Sequence, residues 1–284
     1  MNTFLRVFLY IFLAIGGVIT ASSLLSPLMI LSVPLTLLCL AIGTIYVAVV
    51  LVLLKLSPLW AKPAPLWVTA SLLWGGGMSM LLVMPSSLGV SELASAYGPD
   101  ALVMSWAGGY PEEIAKAFGI FFILLCFRQF NRPWHGLLVG IVVGLGFEIN
   151  ENILYATMGG PTHPTSDLLG MLTTWGARLL AGPLLHAIFS GLAGWGIGWA
   201  LYAANWSAAK RIAAAAGWTF VAFLLHFAWN FMPTSDVAYL IQIAVLSLTI
   251  YPLFIWVMYR AWTMANNDRS YSYSPGAVSV LSRP

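Results

Sequence analysis

The sequence predicts an all-α fold, a polytopic bundle of transmembrane helices, and three observations support this prediction. Of the 284 residues, 60% are hydrophobic and only 7% are charged. This composition has too few charged residues for a water-soluble globular protein. The apolar residues form continuous runs of about 20 residues, the length of a helix that crosses a bilayer. Because hydrocarbon offers the backbone no hydrogen-bond partners, such runs form helices rather than open strands.

Eight apolar runs follow one another along the chain, and each is a predicted span. The first resembles a signal peptide, but it lacks a small-x-small cleavage site and a second run follows at once, which indicates a retained anchor. The eight runs cover residues 4–24, 29–54, 64–87, 111–130, 135–157, 177–203, 211–232 and 237–262. Residues 1–262 are therefore expected to form one transmembrane domain. After it, the polar, Ser- and Pro-rich residues 263–284 predict a short, disordered cytoplasmic tail.

The positions of lysine and arginine predict the orientation of these spans. Short cytoplasmic loops collect basic residues, and ten of the twelve in this chain lie on one side of the predicted bundle: Arg6, Lys55, Lys62, Arg128, Arg132, Lys210, Arg211, Arg260, Arg269 and Arg283. Both termini are therefore expected to be cytoplasmic. The same asymmetry explains the net charge of +3, so no nucleic-acid partner is expected.

Ionisable residues inside the spans are the main functional signal, since each is energetically expensive at depth. At ~1.5 Å per helical residue, the polar groups of three spans fall roughly 18 to 24 Å above the cytoplasmic end of their helices, and the histidine of a fourth falls about 12 Å below the outer end of a hydrocarbon core ~30 Å thick. These groups are Glu112, Glu113 and Lys116, then Glu148 and Glu151, then His186, and finally His226. Four helices therefore place their polar groups in one layer of the outer half of the membrane.

The spacing of these residues puts them on single helix faces. Glu112 and Lys116, Glu148 and Asn152, and His226 and Asn230 are each four positions apart, which is one turn of a helix. Four carboxylates against Lys116 and Arg178 leave a surplus of about two negative charges in a low dielectric. Either a divalent cation or protonated carboxyls must neutralise that surplus.

Each of these residues also has a structural interpretation. The sequence Pro111-Glu112-Glu113 is a favourable helix start, and Lys116 is able to pair with Glu112 or to snorkel. Glu148 is interpreted as a structural partner of Lys116 or Arg178 rather than as a direct participant in chemistry. The glycines at 140, 144, 146, 191, 194, 196 and 198 are interpreted as close-packing positions between helices.

Four motifs on consecutive spans resemble those of a known family. They are EEIAK at 112–116, FEINEN at 147–152, HAIFSG from His186, and HFAWN at 226–230. In this order they resemble the PrsW family of intramembrane metalloproteases, distant relatives of the CAAX-processing endoproteases and the abortive-infection (CPBP) membrane proteins. The resemblance covers about residues 108–232, the predicted catalytic core. The family commonly ends its last motif with Asp, whereas this chain has Asn230, which favours a hydrogen-bond donor there over an anionic ligand.

The resemblance implies hydrolysis of a peptide bond within the membrane. The implied substrate is a membrane protein, such as a single-span anti-sigma factor cut near the outer leaflet of a bacterial plasma membrane. The implied catalytic residues are Glu112, Glu113, Lys116, Glu151, Asn152, His186, His226 and Asn230. The implied ligands of a divalent metal such as zinc are Glu113, Glu151, His186 and His226.

In this scheme Glu112 or Glu113 is the general base that deprotonates a water molecule, with or without a metal. Asn230 and Asn152 are candidate donors to the oxyanion, and Lys116 keeps the glutamate pair ionised. A proton- or cation-coupled transporter using the same Glu, Lys and His residues is the alternative. A di-iron oxidase would need two Glu-x-x-His pairs, which this region lacks, and retention of the whole polar set argues against a non-catalytic scaffold.

Overall fold

A computed structural model describes residues 3–268, which form helices joined by short connections, with no strand in that range. The α-helices are α1 (Thr3–Leu25), α2 (Val33–Lys55), α3 (Pro65–Leu73), α4 (Met80–Tyr97), α5 (Tyr110–Cys126), α6 (Pro133–Thr162), α7 (Asp167–Ala181), α8 (Leu185–Tyr202), α9 (Ala208–Trp229) and α10 (Asp236–Asn267). The predicted all-α fold is confirmed, and the chain is an integral, multi-pass membrane protein.

Seven segments of the described chain are long and apolar enough to cross a bilayer. The predicted span at 111–130 corresponds to α5, which has only 17 residues and falls just short of that length. A π-helical turn, Ser105–Gly109, leads directly into α5. The last helix continues five residues beyond the predicted end at 262, and the rest of the predicted tail, 269–284, lies outside the described residues.

The predicted span at 177–203 differs most from the structure. It begins inside α7 and is interrupted at Gly182–Leu184, so that α7 and α8 are separate helices. Pro183 disfavours a helical conformation at Gly182, and Leu184 adopts a positive φ of 61°. The break places Arg178 just before the start of α8 and His186 just after it.

Helix α6 forms the centre of the bundle and is buried along most of its length. Its closest neighbour is α8, which it meets through glycines as predicted. A Cβ atom on Gly144 would overlap the carbonyl oxygen of His186, and one on Gly140 would overlap that of Ser190. The two backbones are therefore in direct contact, which is how small residues pack membrane helices.

Alanine at Gly144 is expected to destabilise the protein, because the new methyl group would push the α8 backbone away from α6 at His186. We expect a loss of about 1–3 kcal/mol, as for other overpacked sites, visible as a lower midpoint of thermal unfolding in detergent. Gly217 on α9 is the matched control, because a Cβ there meets no atom within 4 Å. Equal midpoints for the two variants would contradict the close contact.

Candidate active site

The first turn of α5 carries the two adjacent glutamates. The π-helical turn Ser105–Gly109 ends directly before it, and Pro111 stands at the start of the helix, where its missing N–H is not needed. A Cβ on Gly108 would lie 2.5 Å from Asn230 Nδ2 and 3.3 Å from Glu112 Oε1. The glycine therefore lets α9 approach the glutamates closely.

Lys116 lies between the two glutamates and is fully buried. Its Nζ is 2.6 Å from Glu113 Oε1 and 3.3 Å from Glu112 Oε2. The same ammonium is 3.2 Å from His186 Nδ1 and lies over the Phe147 ring, 4.5 Å from its centroid. This single cation therefore contacts groups from α5, α6 and α8.

The two histidines face each other from α8 and α9, with ring centroids 5.1 Å apart. Each imidazole has one nitrogen beside a carboxylate. His226 Nδ1 is 2.9 Å from Glu113 Oε1, and His186 Nε2 is 2.8 Å from Glu151 Oε2. Carboxylate partners of this kind fix the orientation of histidines at metal sites.

The second nitrogen of each histidine faces Glu112. His186 Nδ1 lies 3.6 Å from Glu112 Oε2, and His226 Nε2 lies 3.9 Å from the same oxygen. Asn230 Nδ2 is 3.1 Å from His226 Nε2, which places the amide at the edge of this group. The predicted convergence of acids from α5 and α6 with imidazoles from α8 and α9 is thus present in the structure.

Arg178 is a site residue that the sequence analysis did not include among its candidates. Its guanidinium donates to Glu151 and, through Nε at 2.6 Å, to Asn152 Oδ1. Glu151 and Asn152 therefore hold the end of α7, and the Asn152 carbonyl oxygen is already engaged. The signal available in the sequence was that Arg178 is the one basic residue placed near the outer side.

Within residues 3–268, Glu148 forms no hydrogen bond or ion pair with Lys116 or Arg178. Its Oε1 accepts a hydrogen bond of 2.5 Å from the Tyr46 hydroxyl and one of 3.0 Å from the Leu184 backbone N–H. Its Oε2 accepts from the Ala187 N–H at 3.3 Å. Glu148 of α6 thus holds the start of α8, and its partners differ from the predicted Lys116 and Arg178.

Two spaces meet at the glutamate pair. A polar cavity of about 550 Å³ is lined by Glu112, Glu151, Arg178, His186, His226 and Asn230, among others. An apolar groove of about 590 Å³ lies between α5 and α9, where Ile114, Phe121, Ala216 and Phe220 line it together with Glu113. Adjacent glutamates therefore line different spaces, Glu112 the cavity and Glu113 the groove.

The donor set fits a divalent metal. One ligand atom each from Glu112, Glu113, His186 and His226 lies within 4.8 Å of the others, and all four residues are buried. Imidazole and carboxylate are ligands that zinc accepts, and Glu113 Oε2 is a buried oxygen without a hydrogen-bond partner among residues 3–268. The group contains three of the predicted ligands and has Glu112 where Glu151 was predicted. Glu151 instead contacts Arg178 and His186.

The fold and the site together define a membrane-embedded enzyme with a buried glutamate and histidine centre. Residues 63–257, more than half of the chain, match the family described as PrsW family intramembrane metalloprotease. The chain therefore belongs to that family, and it is a peptidase whose substrates are proteins. No curated protein and no solved structure matches the chain.

Proposed function

We propose that this protein hydrolyses a peptide bond of a single-span membrane protein near the outer end of its span. The observation that supports this proposal is the meeting of Glu112, Glu113, His186 and His226 inside the helix bundle, beside both a polar cavity and an apolar groove. An anti-sigma-factor-like protein of a bacterial plasma membrane is the substrate class that we favour.

Glu113 is the general base of the proposed reaction. Its Oε1 is engaged by Lys116 and His226, whereas Oε2 has no hydrogen-bond partner among the described residues and is able to accept a proton. A water molecule that reaches Glu113 from the neighbouring polar cavity gives its proton to Oε2 and attacks the scissile carbonyl carbon. Glu113 then passes that proton to the leaving amine as the C–N bond breaks.

Asn230 stabilises the charge that develops on the scissile oxygen. Its Nδ2 group lines the cavity beside His226, and an amide N–H is a suitable oxyanion donor. Lys116 supports the same step, because its positive charge favours the ionised form of the glutamate that has to act as a base.

Glu112, His186 and His226 are the residues that would hold a metal, through the nitrogens and the oxygen that face one another. A divalent cation bound there would supply a Lewis acid to the reaction. Glu113 and Glu151 orient the two imidazoles by contacting the ring nitrogens that do not face Glu112. These contacts are 2.9 Å at His226 Nδ1 and 2.8 Å at His186 Nε2. In this assignment Glu151 acts on His186 rather than as a ligand.

The apolar groove is the proposed position of the substrate's transmembrane segment. It extends along α5 from Glu113 to Phe121, a rise of about 12 Å toward the predicted cytoplasmic side. A segment lying in it would present its outer end to Glu113, while water reaches the same point through the polar cavity. The position of the groove thus supports the proposed cut near the outer leaflet.

Co-expression with a panel of tagged single-span membrane proteins tests the proposed function. Wild-type protein is expected to release a shortened fragment from at least one panel member, whereas Glu113→Ala and His226→Ala variants release none. Equal product from wild type and variants would contradict the proposal. Ion flux into liposomes that these substitutions abolish, without any cleavage, would favour the transporter instead.

Tryptophan at Ala216 is expected to block the groove selectively. Overpacking by about 1–3 kcal/mol corresponds to roughly 5- to 150-fold weaker binding, so cleavage of the membrane protein substrate should fall by at least about fivefold. A water-soluble peptide that spans the same cut site should be hydrolysed within about twofold of wild type. Leu224→Trp is the control, because Leu224 is also exposed on α9 but does not line the groove. Equal loss with both substrates would exclude the groove as the docking site.

A further inference from the structure

The break between α7 and α8 is held in place from three other helices. Glu148 of α6 accepts from the backbone N–H groups of Leu184 and Ala187, at 3.0 and 3.3 Å. Tyr46 of α2 donates to Glu148 at 2.5 Å, and Tyr251 of α10 donates to the Pro183 carbonyl at 2.9 Å. The segment that precedes His186 is thus fixed by specific side chains.

A carboxylate is an expensive way to satisfy these N–H groups. Glu148 is only 3% exposed, and its hydrogen-bond donors among the described residues are all neutral: a phenol and two amides. A serine or asparagine at the start of α8 would satisfy free N–H groups without a buried charge. The position of Glu148 on α6 therefore has to matter for something besides capping.

From that position, one face of α6 contacts both the backbone around His186 and the His186 imidazole. Glu148 and Glu151 are three residues apart on α6, and they therefore point in similar directions. Glu148 binds the backbone on either side of His186, while Glu151 Oε2 lies 2.8 Å from the imidazole Nε2. The imidazole is consequently directed so that its Nδ1 faces Glu112 at 3.6 Å.

We propose that Glu148 and Tyr46 are positioning residues for His186. Their hydrogen bonds to each other and to the start of α8 set the distance between His186 Nδ1 and Glu112 Oε2. Tyr46 precedes residues 63–257, the part of the chain that matches the family. The inference therefore gives α2 a part in forming the active site. It rests on the proposed function only because His186 is taken there as a residue that would hold the metal.

Titration of the purified full-length protein with Co²⁺, followed through its visible absorption bands, tests this inference. Glu148→Ala is expected to weaken Co²⁺ binding by about 10- to 100-fold, the usual effect of losing a residue that orients a ligand, and to change the shape of the bands. Glu148→Gln keeps an acceptor oxygen and should recover most of the affinity. Tyr46→Phe removes the hydroxyl that donates to Glu148 and accepts from the Leu184 N–H at 3.1 Å, and it should weaken binding by at least about fivefold.

Kinetics separates positioning from folding. The substrate is the single-span membrane protein that the wild-type protein cleaves. Glu148→Ala should lower kcat by about the same factor as it lowers the affinity for Co²⁺. KM should change less than twofold, because Glu148 does not line the groove. Tyr259→Phe, an exposed tyrosine of α10, is the control for Tyr46→Phe and should leave both measurements unchanged.

Lower thermal stability of Glu148→Ala and Tyr46→Phe, with Co²⁺ affinity, band shape and kcat all as in wild type, would overturn the inference. Wild-type protein that binds Co²⁺ but cleaves no panel member would count against the proposed function alone. The difference in Co²⁺ binding between wild type and Glu148→Ala would still support the positioning role in that case.

Discussion

Glutamine in place of Glu113 is expected to reduce peptide-bond cleavage by about 10²- to 10⁴-fold, the range that general-base catalysis contributes. The substitution preserves the shape of the side chain and removes only the carboxylate that would take the proton from water. Binding of the substrate should change little, so the loss should appear in kcat. Initial rates in proteoliposomes, with the cleaved panel member as substrate, measure it.

Glu92→Gln is the control for this experiment, because Glu92 is an exposed carboxylate on α4 and lies outside both spaces at the site. The variant Glu112→Gln separates the two glutamates. We expect it to weaken metal binding as well as cleavage, whereas Glu113→Gln should retain a bound metal. A Glu113→Gln variant with full activity would show that the base is another group, and Glu112 would be the first to test.

Removal of metal is the second change with a large expected effect. Dialysis against a chelator should abolish cleavage, and added Zn²⁺ should restore it, because four buried Glu and His donors lie within 4.8 Å of one another and zinc accepts such ligands. Added Zn²⁺ should not restore activity to His226→Ala, whose cleavage should be lower by at least about 10³-fold, since loss of a single catalytic group in a hydrolase costs about 10⁴- to 10⁶-fold. Bound metal is measured by elemental analysis of the same samples.

His163→Ala is the matched control, since His163 follows the end of α6 in the connection to α7 and does not line the polar cavity. Its activity should be removed by the chelator and restored by Zn²⁺ as in wild type. Full cleavage by a chain shown to hold no metal would contradict the metal site. Such a result would favour hydrolysis by glutamate-activated water alone.

The sequence was sufficient to predict which groups meet. Helix rise placed Glu113, His186 and His226 at similar depth, and spacing of four residues gave each helix one polar edge. Neither argument fixes how far a helix is rotated about its axis. For that reason the sequence did not indicate that Glu151 contacts Arg178 as well as His186, or that Glu112 lies opposite both imidazoles.

The contacts of Tyr46 could not be predicted from the sequence, for a related reason. Tyr46 and Glu148 are 102 residues apart, and periodicity within one helix carries no information about partners on another. The division of one predicted span into α7 and α8 had a visible signal in Gly182-Pro183. The conformation of Leu184, which depends on what surrounds the break, did not.

The direct backbone contact between α6 and α8 has a consequence for the placement of the two histidines. Gly140 and Gly144 leave no side chain between these helices, so moving α8 away from α6 would break that contact and displace His186. The same kind of contact joins α8 to α9, where a Cβ on Gly196 would overlap the carbonyl oxygen of Ala214. The helices that carry His186 and His226 are therefore held at a fixed spacing by glycine, several turns from the imidazoles themselves.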